Sequence, residues 1–172
     1  MLWLYTAFMT LTGLERLIEV RVSNRNAAWS FSRGGVEYGR GHYPVMVLLH
    51  TGFLIACPLE VWFLDRPFIP WLAGCMFACA LALQGLRWWC ITTLGQQWNT
   101  RVIIVPNLPR VTGGPYRWIS HPNYVAVVLE GFVLPLMHCA WITSVCFTLA
   151  NALLLYVRIQ CENTALRQLE AV

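Results

Sequence analysis

A chain of 172 residues that is 58% hydrophobic and only 12% charged has too few polar side chains to clothe a soluble domain. Its formal charge of +4 comes from scattered residues rather than a basic stripe, which excludes a nucleic-acid surface. Several runs approach the roughly 18 apolar residues needed to cross a bilayer, so the chain reads as an integral membrane protein.

The first predicted helix runs from about Leu2 to Val22. Met1-Leu2-Trp3-Leu4 has no basic n-region, so no cleavable signal is expected. The first half of this helix is plain apolar sequence, whereas the second carries Glu15, Arg16 and Glu19. Glu15 and Glu19 stand one turn apart on one face. Charges at that depth either face partners or a water-filled cavity, or belong to a helix end already among headgroups. A long polar loop is expected from Ser23 to Gly41, containing Asn24-Arg25-Asn26 and Glu37-Tyr38-Gly39 and leading into His42-Tyr43-Pro44. Loops of that length are more often functional than idle, although Arg33 and Arg40 would serve equally as contacts to lipid phosphate.

A second helix is predicted from about Pro44 to Leu64, with His50 and Glu60 inside it. Asp65-Arg66-Pro67 links it to a third, from about Phe68 to Leu94, where Gln84 and Arg87 lie near the far end and Trp88-Trp89 mark an interface. Arg101 to Val105 is a β-branched run expected to be extended, in a connector that reaches Gly113. A fourth helix, Asn123 to Met137, holds Glu130, and a fifth, Ala140 to Arg158, follows so closely that the two form a hairpin. The tail, Ile159 to Val172, reads as a separate amphipathic helix on the membrane surface. The expected fold is therefore an all-α integral membrane protein with about five transmembrane helices in a single domain. Residues 1–94 form one part of it and residues 95–172 the other.

Every basic residue is arginine, a bias that points to a GC-rich genome and hence a bacterial plasma membrane. Arg21, Arg25, Arg33, Arg40, Arg101, Arg110, Arg117, Arg158 and Arg167 fall on one side of the five-span arrangement, and Arg66 falls on the other. The positive-inside rule then puts the N-terminus outside and the C-terminus in the cytosol. Seven cysteines lie mostly within apolar runs and without CxxC spacing, so neither a metal site nor a disulfide framework is expected.

The stretch Gly113-Gly-Pro-Tyr-Arg-Trp-Ile-Ser-His-Pro-Asn-Tyr124 suits neither a buried core nor a lipid face. Its glycines and Pro115 define a turn, and Pro122 suits the first turn of a helix. His121 and Tyr124 then sit where free N–H groups and the positive dipole end favour a polar or anionic ligand. An ordinary interfacial turn with a belt Trp and Tyr is the alternative.

From about residue 95 to 166 the chain resembles the isoprenylcysteine carboxyl methyltransferase family. The resemblance rests on Gly114-Pro115-Tyr116, on Ser120-His121-Pro122-Asn123-Tyr124, on the hairpin, and on Arg158-Ile-Gln-Cys-Glu162-Asn-Thr-Ala-Leu166. Ser120 and Asn163 depart from the family's Arg and Glu, as in a divergent branch. Arg25-Asn26, Glu37-Tyr38-Gly39, His42-Tyr43-Pro44, His50 and Trp98-Asn99-Thr100-Arg101 are similar to bacterial members that O-methylate alkylpyrones or alkylresorcinols.

This resemblance implies S-adenosylmethionine in a cytosolic pocket, a lipidic small-molecule acceptor and membrane lipids as partners. It implies cofactor contacts from Arg110, Val111, Gly114, Tyr116, His121, Pro122, Asn123, Tyr124 and Glu162. Arg158 would face the acceptor, though an arginine there could also anchor lipid phosphate. Glu37, His42 and Glu15 are candidate bases for a phenolic acceptor. Methylation of a prenylcysteine carboxylate is the alternative activity. Sterol-type reductases have a similar core, but no basic cluster here suits a nicotinamide 2′-phosphate.

Overall fold

The computed structural model describes residues 1–170, with side chains through Arg167. Five helices account for most of them: α1 (Leu2–Ser32), α2 (His42–Phe63), α3 (Pro70–Leu94), α4 (Pro122–Leu136) and α5 (Trp141–Glu170). Three segments are long and apolar enough to cross a membrane, His42–Phe63, Pro70–Gln97 and Trp141–Arg167. α1 misses that standard because its second half is charged, and α4 because it has only 15 residues. Trp3, Leu48, Phe63 and Leu153 are each more than 70% exposed, which marks outer faces made for lipid.

α4 lies between α3 and α5, α5 packs on α2, and α2 packs on α1. The apolar core gathers at the end that holds the α4–α5 turn. Tyr5 and Met9 of α1, Phe53 and Cys57 of α2, Ala73 and Ala80 of α3, and Leu134, Ala140 and Phe147 of the hairpin meet there. The Tyr5 hydroxyl donates to the Leu134 carbonyl at 3.0 Å. Glu60, from the end of α2, accepts from the backbone N–H groups of Ile142 and Thr143 at 3.1 and 2.6 Å. It thereby caps α5, whose first turn carries no acidic residue of its own. Arg66 closes the arrangement, donating to Glu60 at 2.9 Å and lying over the Trp141 ring.

The charges of α1 have partners. Arg16 donates to Glu19 at 2.6 Å and to Glu130 of α4 at 3.0 Å. Arg87 of α3 grips Glu19 with two donors, at 3.0 and 2.5 Å. Glu15 accepts from Gln84 and from the Trp88 indole. Of the two sequence readings, this is the one in which the charges face partners rather than headgroups.

Two expectations need correction. α1 does not stop at Val22 but runs ten residues further to Ser32, so no long loop spans Ser23–Gly41. The polar residues that look like loop are anchored helix: Ser23 Oγ donates to Asn99 at 2.7 Å, and Asn26 donates to the Trp98 carbonyl at 2.8 Å. Tertiary partners override the weak helix propensity of Ser and Asn here. The tail is not a separate surface helix. No glycine or proline interrupts 141–170, and α5 continues as one helix about 45 Å long. Ala171 and Val172, the end of the predicted tail, lie outside the described residues. The fold is otherwise the expected all-α membrane architecture, mostly helical with one small strand pair. The expected extended run becomes β2 (Val102–Ile104), which pairs antiparallel with β1 (Val36–Tyr38) in the register Val36↔Ile104, Glu37↔Ile103 and Tyr38↔Val102.

Removing Glu19 leaves the buried Arg87 guanidinium, among the described residues, with Glu130 as its one remaining ion-pair partner, 3.7 Å away. Loss of one partner of a buried ion pair typically costs about 3–5 kcal/mol. Glu19→Ala should therefore melt well below the parent in detergent micelles, and an unchanged Tm would show that α1 is held by apolar packing alone.

Candidate active site

Two side-chain-lined cavities meet between the helices. The first, of about 410 Å³, lies beside β2 and the 3-10 turn Gly114–Arg117. The second, of about 710 Å³, is a mostly apolar groove between α1 and α2. Trp98, Asn99, Asn123, Tyr124 and Arg158 line both, so the two spaces share one wall.

That wall is stitched together from α4 and α5. Arg158 Nε donates to the Tyr124 hydroxyl at 2.8 Å, and that hydroxyl donates onward to Glu162 in a short hydrogen bond. His121 stacks on the Tyr124 ring with centroids 5.2 Å apart and carries its Nδ1 to 3.8 Å from Glu162. Arg158 and Glu162 stand one turn apart on α5 and so present to the same side. On the other flank Arg158 Nη1 donates to the Met46 sulfur of α2 at 3.0 Å.

Of the residues singled out from sequence, Arg110, Val111, Tyr116, His121, Asn123, Tyr124, Arg158 and Glu162 line the 410 Å³ chamber together. Burial beside Cys90 pushes the Tyr116 phenol above its ordinary range, so it stays protonated. Asn123 Oδ1 is buried without a partner among the described residues, as is Arg101 Nε, which lines the same chamber. The helix start is a poorer donor array than its position suggests. Pro122 has no N–H, and the Tyr124 and Val125 amides turn back to the His121 carbonyl. Of these residues, only Asn123 has its amide without a described backbone partner.

Gly114 and Pro122 are not among the lining residues. Gly114 has φ +55°, and a Cβ on it would stand 2.5 Å from Thr93 Oγ1, so it lets the turn press against α3. Pro122 is wholly buried at the first position of α4. Glu37 and His42 line neither cavity. Glu37 sits in β1 with its carboxylate 3.4 Å from Arg40, and His42 abuts Gly39 next to Cys161. The charged floor of the groove contains a residue that sequence reading left unassigned, Glu130, beside Arg16, Glu19 and Arg87. Its signal was a lone acid in an apolar helix, which requires a partner.

The fold and site together define a helical membrane bundle in which a polar-lined chamber shares a wall with a mostly apolar groove. The profile of the isoprenylcysteine carboxyl methyltransferase (ICMT) family matches residues 76–168, and the chain belongs to that family of membrane methyltransferases. It is 35% identical over 168 residues to the uncharacterized protein YpbQ of Bacillus subtilis (strain 168), with 98% of each chain covered. An uncharacterized protein of Haemophilus influenzae is 22% identical over 172 residues, again across 98% of both chains.

If the chamber holds the cofactor, losing a charged hydrogen-bond partner within it should cost about 1.5–3 kcal/mol. Glu162→Ala and His121→Ala should each weaken S-adenosylhomocysteine binding tenfold or more in calorimetry while the protein stays folded. Parent-like affinity in both would move the cofactor elsewhere.

Proposed function

We propose that this protein is an S-adenosylmethionine-dependent O-methyltransferase whose acceptor is a long-chain lipid with a hydroxyl headgroup, of the alkylresorcinol or alkylpyrone kind. The observation that carries this reading is the shared wall, where Asn123, Tyr124 and Arg158 face a polar chamber on one side and an apolar groove on the other.

The chamber suits the cofactor. Its volume falls in the usual range for small-molecule sites. Arg101, Arg110 and the Asn123 amide are donors for a carboxylate. Glu162 and the unpartnered Asn123 Oδ1 are acceptors for an ammonium and ribose hydroxyls, and Leu94, Val105, Leu108 and Leu166 offer an apolar slot for a base. When bound, the cofactor supplies an electrophilic methyl: the oxygen–carbon bond forms as the sulfur–carbon bond breaks, and the electron pair stays on sulfur. The chain's own work is then to align the oxygen, exclude water and manage one proton.

The groove suits an alkyl tail. Its lining runs along α1 from Leu2 to Val20, about 27 Å of helix, close to the thickness of a bilayer core. Most of that lining comes from α1 and α2, before the family-matched residues 76–168, so the acceptor side is built from sequence particular to this branch. Asn151 Oδ1 is a buried acceptor lacking a partner among the described residues, and Asn151 lines the groove. It calls for a ligand that donates, which a hydroxyl does and a carboxylate does not. One observation favours the carboxyl-methylating alternative: the described hydrogen bonds of Arg158 go to a hydroxyl and a sulfur rather than to a carboxylate, which leaves its charge for an anionic acceptor.

Five crossings fit this reading, with α1 and α4 added to the three apolar spans, the N-terminus outside and the chamber in the cytosolic half. Reporter fusions should then place the C-terminus in the cytosol, and a C-terminus on the outer side would overturn this orientation. A tritiated methyl-transfer assay tests the chemistry. Alkylresorcinol or alkylpyrone should be labelled and a farnesylcysteine analogue left largely untouched. The reverse preference would restore the carboxyl methyltransferase activity.

A further inference from the structure

We propose that His50 is the general base that takes the acceptor's hydroxyl proton, an inference that rests on the O-methyltransferase reading above. His50 lies on α2 and lines the groove. Its Nδ1 is 2.9 Å from the Met46 carbonyl. A carbonyl only accepts, so Nδ1 carries the ring proton and Nε2 presents a lone pair. Among the described residues no hydrogen bond reaches Nε2.

The ring is held in place. Phe147 meets it edge-on, with centroids 5.3 Å apart and planes at 88°, and Phe147 is itself packed against Phe53 at 4.1 Å. Gly131 of α4 leaves the room Phe147 needs, since a Cβ there would come within 2.8 Å of Phe147 Cδ1. Met46 joins the base to the cation of the shared wall: its carbonyl takes His50 and its sulfur takes Arg158 Nη1 at 3.0 Å. An oxygen between His50 and Arg158 has a proton acceptor on one side and a positive charge on the other.

The remaining bases of the region are occupied. Glu19 is bound by Arg16 and Arg87, and Glu130 is bound by Arg16. Glu15 is taken by Gln84 and Trp88. Glu37 and His42 are not among the groove's lining residues. That leaves His50 Nε2 as the uncommitted basic atom of the groove.

In the step, the acceptor O–H bond breaks and its proton passes to Nε2. The resulting imidazolium keeps its Nδ1–H on the Met46 carbonyl. The electron pair left on oxygen forms the new bond to the methyl carbon, and Arg158 offsets the transient negative charge. The ring returns its proton to water as product leaves. A phenol with a pKa near 10 needs this help far more than an acidic pyrone enol does.

His50→Gln keeps a polar side chain of similar size and removes the base. It should lower turnover of an alkylresorcinol by about 10²–10⁴-fold, with KM little changed and with a much smaller loss on an alkylpyrone. Calorimetry with S-adenosylhomocysteine should match the parent, which shows the variant folded. A readout independent of turnover comes from protein without cofactor. Adding alkylresorcinol should move the His50 Nε2 resonance in nitrogen NMR, as a new hydrogen bond requires. Parent-like turnover of alkylresorcinol by His50→Gln, an equal loss on both acceptors, or an unmoved resonance at saturation would each overturn the assignment while leaving the methyltransferase reading intact. If the parent protein methylates neither acceptor, that reading falls and the base falls with it.

Discussion

The rest of the structure depends on the pairing of Arg16 and Arg87 with Glu19 and Glu130. Ionised groups at mid-helix positions of a membrane bundle persist only as one another's solvation. Because α1 brings Arg16 and Glu19, α3 brings Arg87 and α4 brings Glu130, satisfying the charges fixes three helices in register. The lipid-facing side of α1 offers no such restraint, since Leu4 and Leu11 are both more than half exposed. The rotation of α1, and with it the shape of the groove against α2, therefore follows from ion pairing more than from apolar fit. The same network is the charged floor of a mostly apolar space.

The two halves of the chain divide the work. The chamber is lined almost entirely by residues 94–166, which lie within the stretch shared with the methyltransferase family. The groove borrows most of its wall from α1 and α2. This is a sensible separation for an enzyme class in which one donor serves many acceptors. On the proposed reading, the donor side falls within the family-matched residues and the acceptor side is supplied mostly by other helices.

Sequence reading reached the elements well and their tertiary uses less well. Helices α2 to α5 start within two residues of their expected positions because apolar length and proline placement are local signals. The end of α1 was not legible, because Ser23 and Asn26 are helical only by virtue of partners some 70 residues away. The β1–β2 pairing was invisible for the same reason: Val36–Tyr38 is too short to announce itself without β2. Within the site, the motif residues of the 3-10 turn, α4 and α5 do gather. Gly114 and Pro122, however, act on backbone and packing instead of lining the chamber. His50 entered the sequence reading among the residues similar to the bacterial O-methylating members, without a role of its own. The role proposed for it rests on Met46 one turn before it and Phe147 on another helix, neither of which spacing alone could connect to it.

One further consequence follows from α5 being a single uninterrupted helix. Trp141, at the end near Arg66 and Glu60, and the Arg158–Glu162 pair, at the other end, are rigidly indexed to each other along one axis. Inserting or deleting a single residue anywhere between them would turn the lower half by about 100° relative to the upper, carrying both side chains away from Tyr124. A stretch such as Leu153-Leu154-Leu155 therefore tolerates exchange of one apolar residue for another far better than any change in their number. Its length is set by the angular demands of the site, and the thickness of the bilayer is the looser constraint.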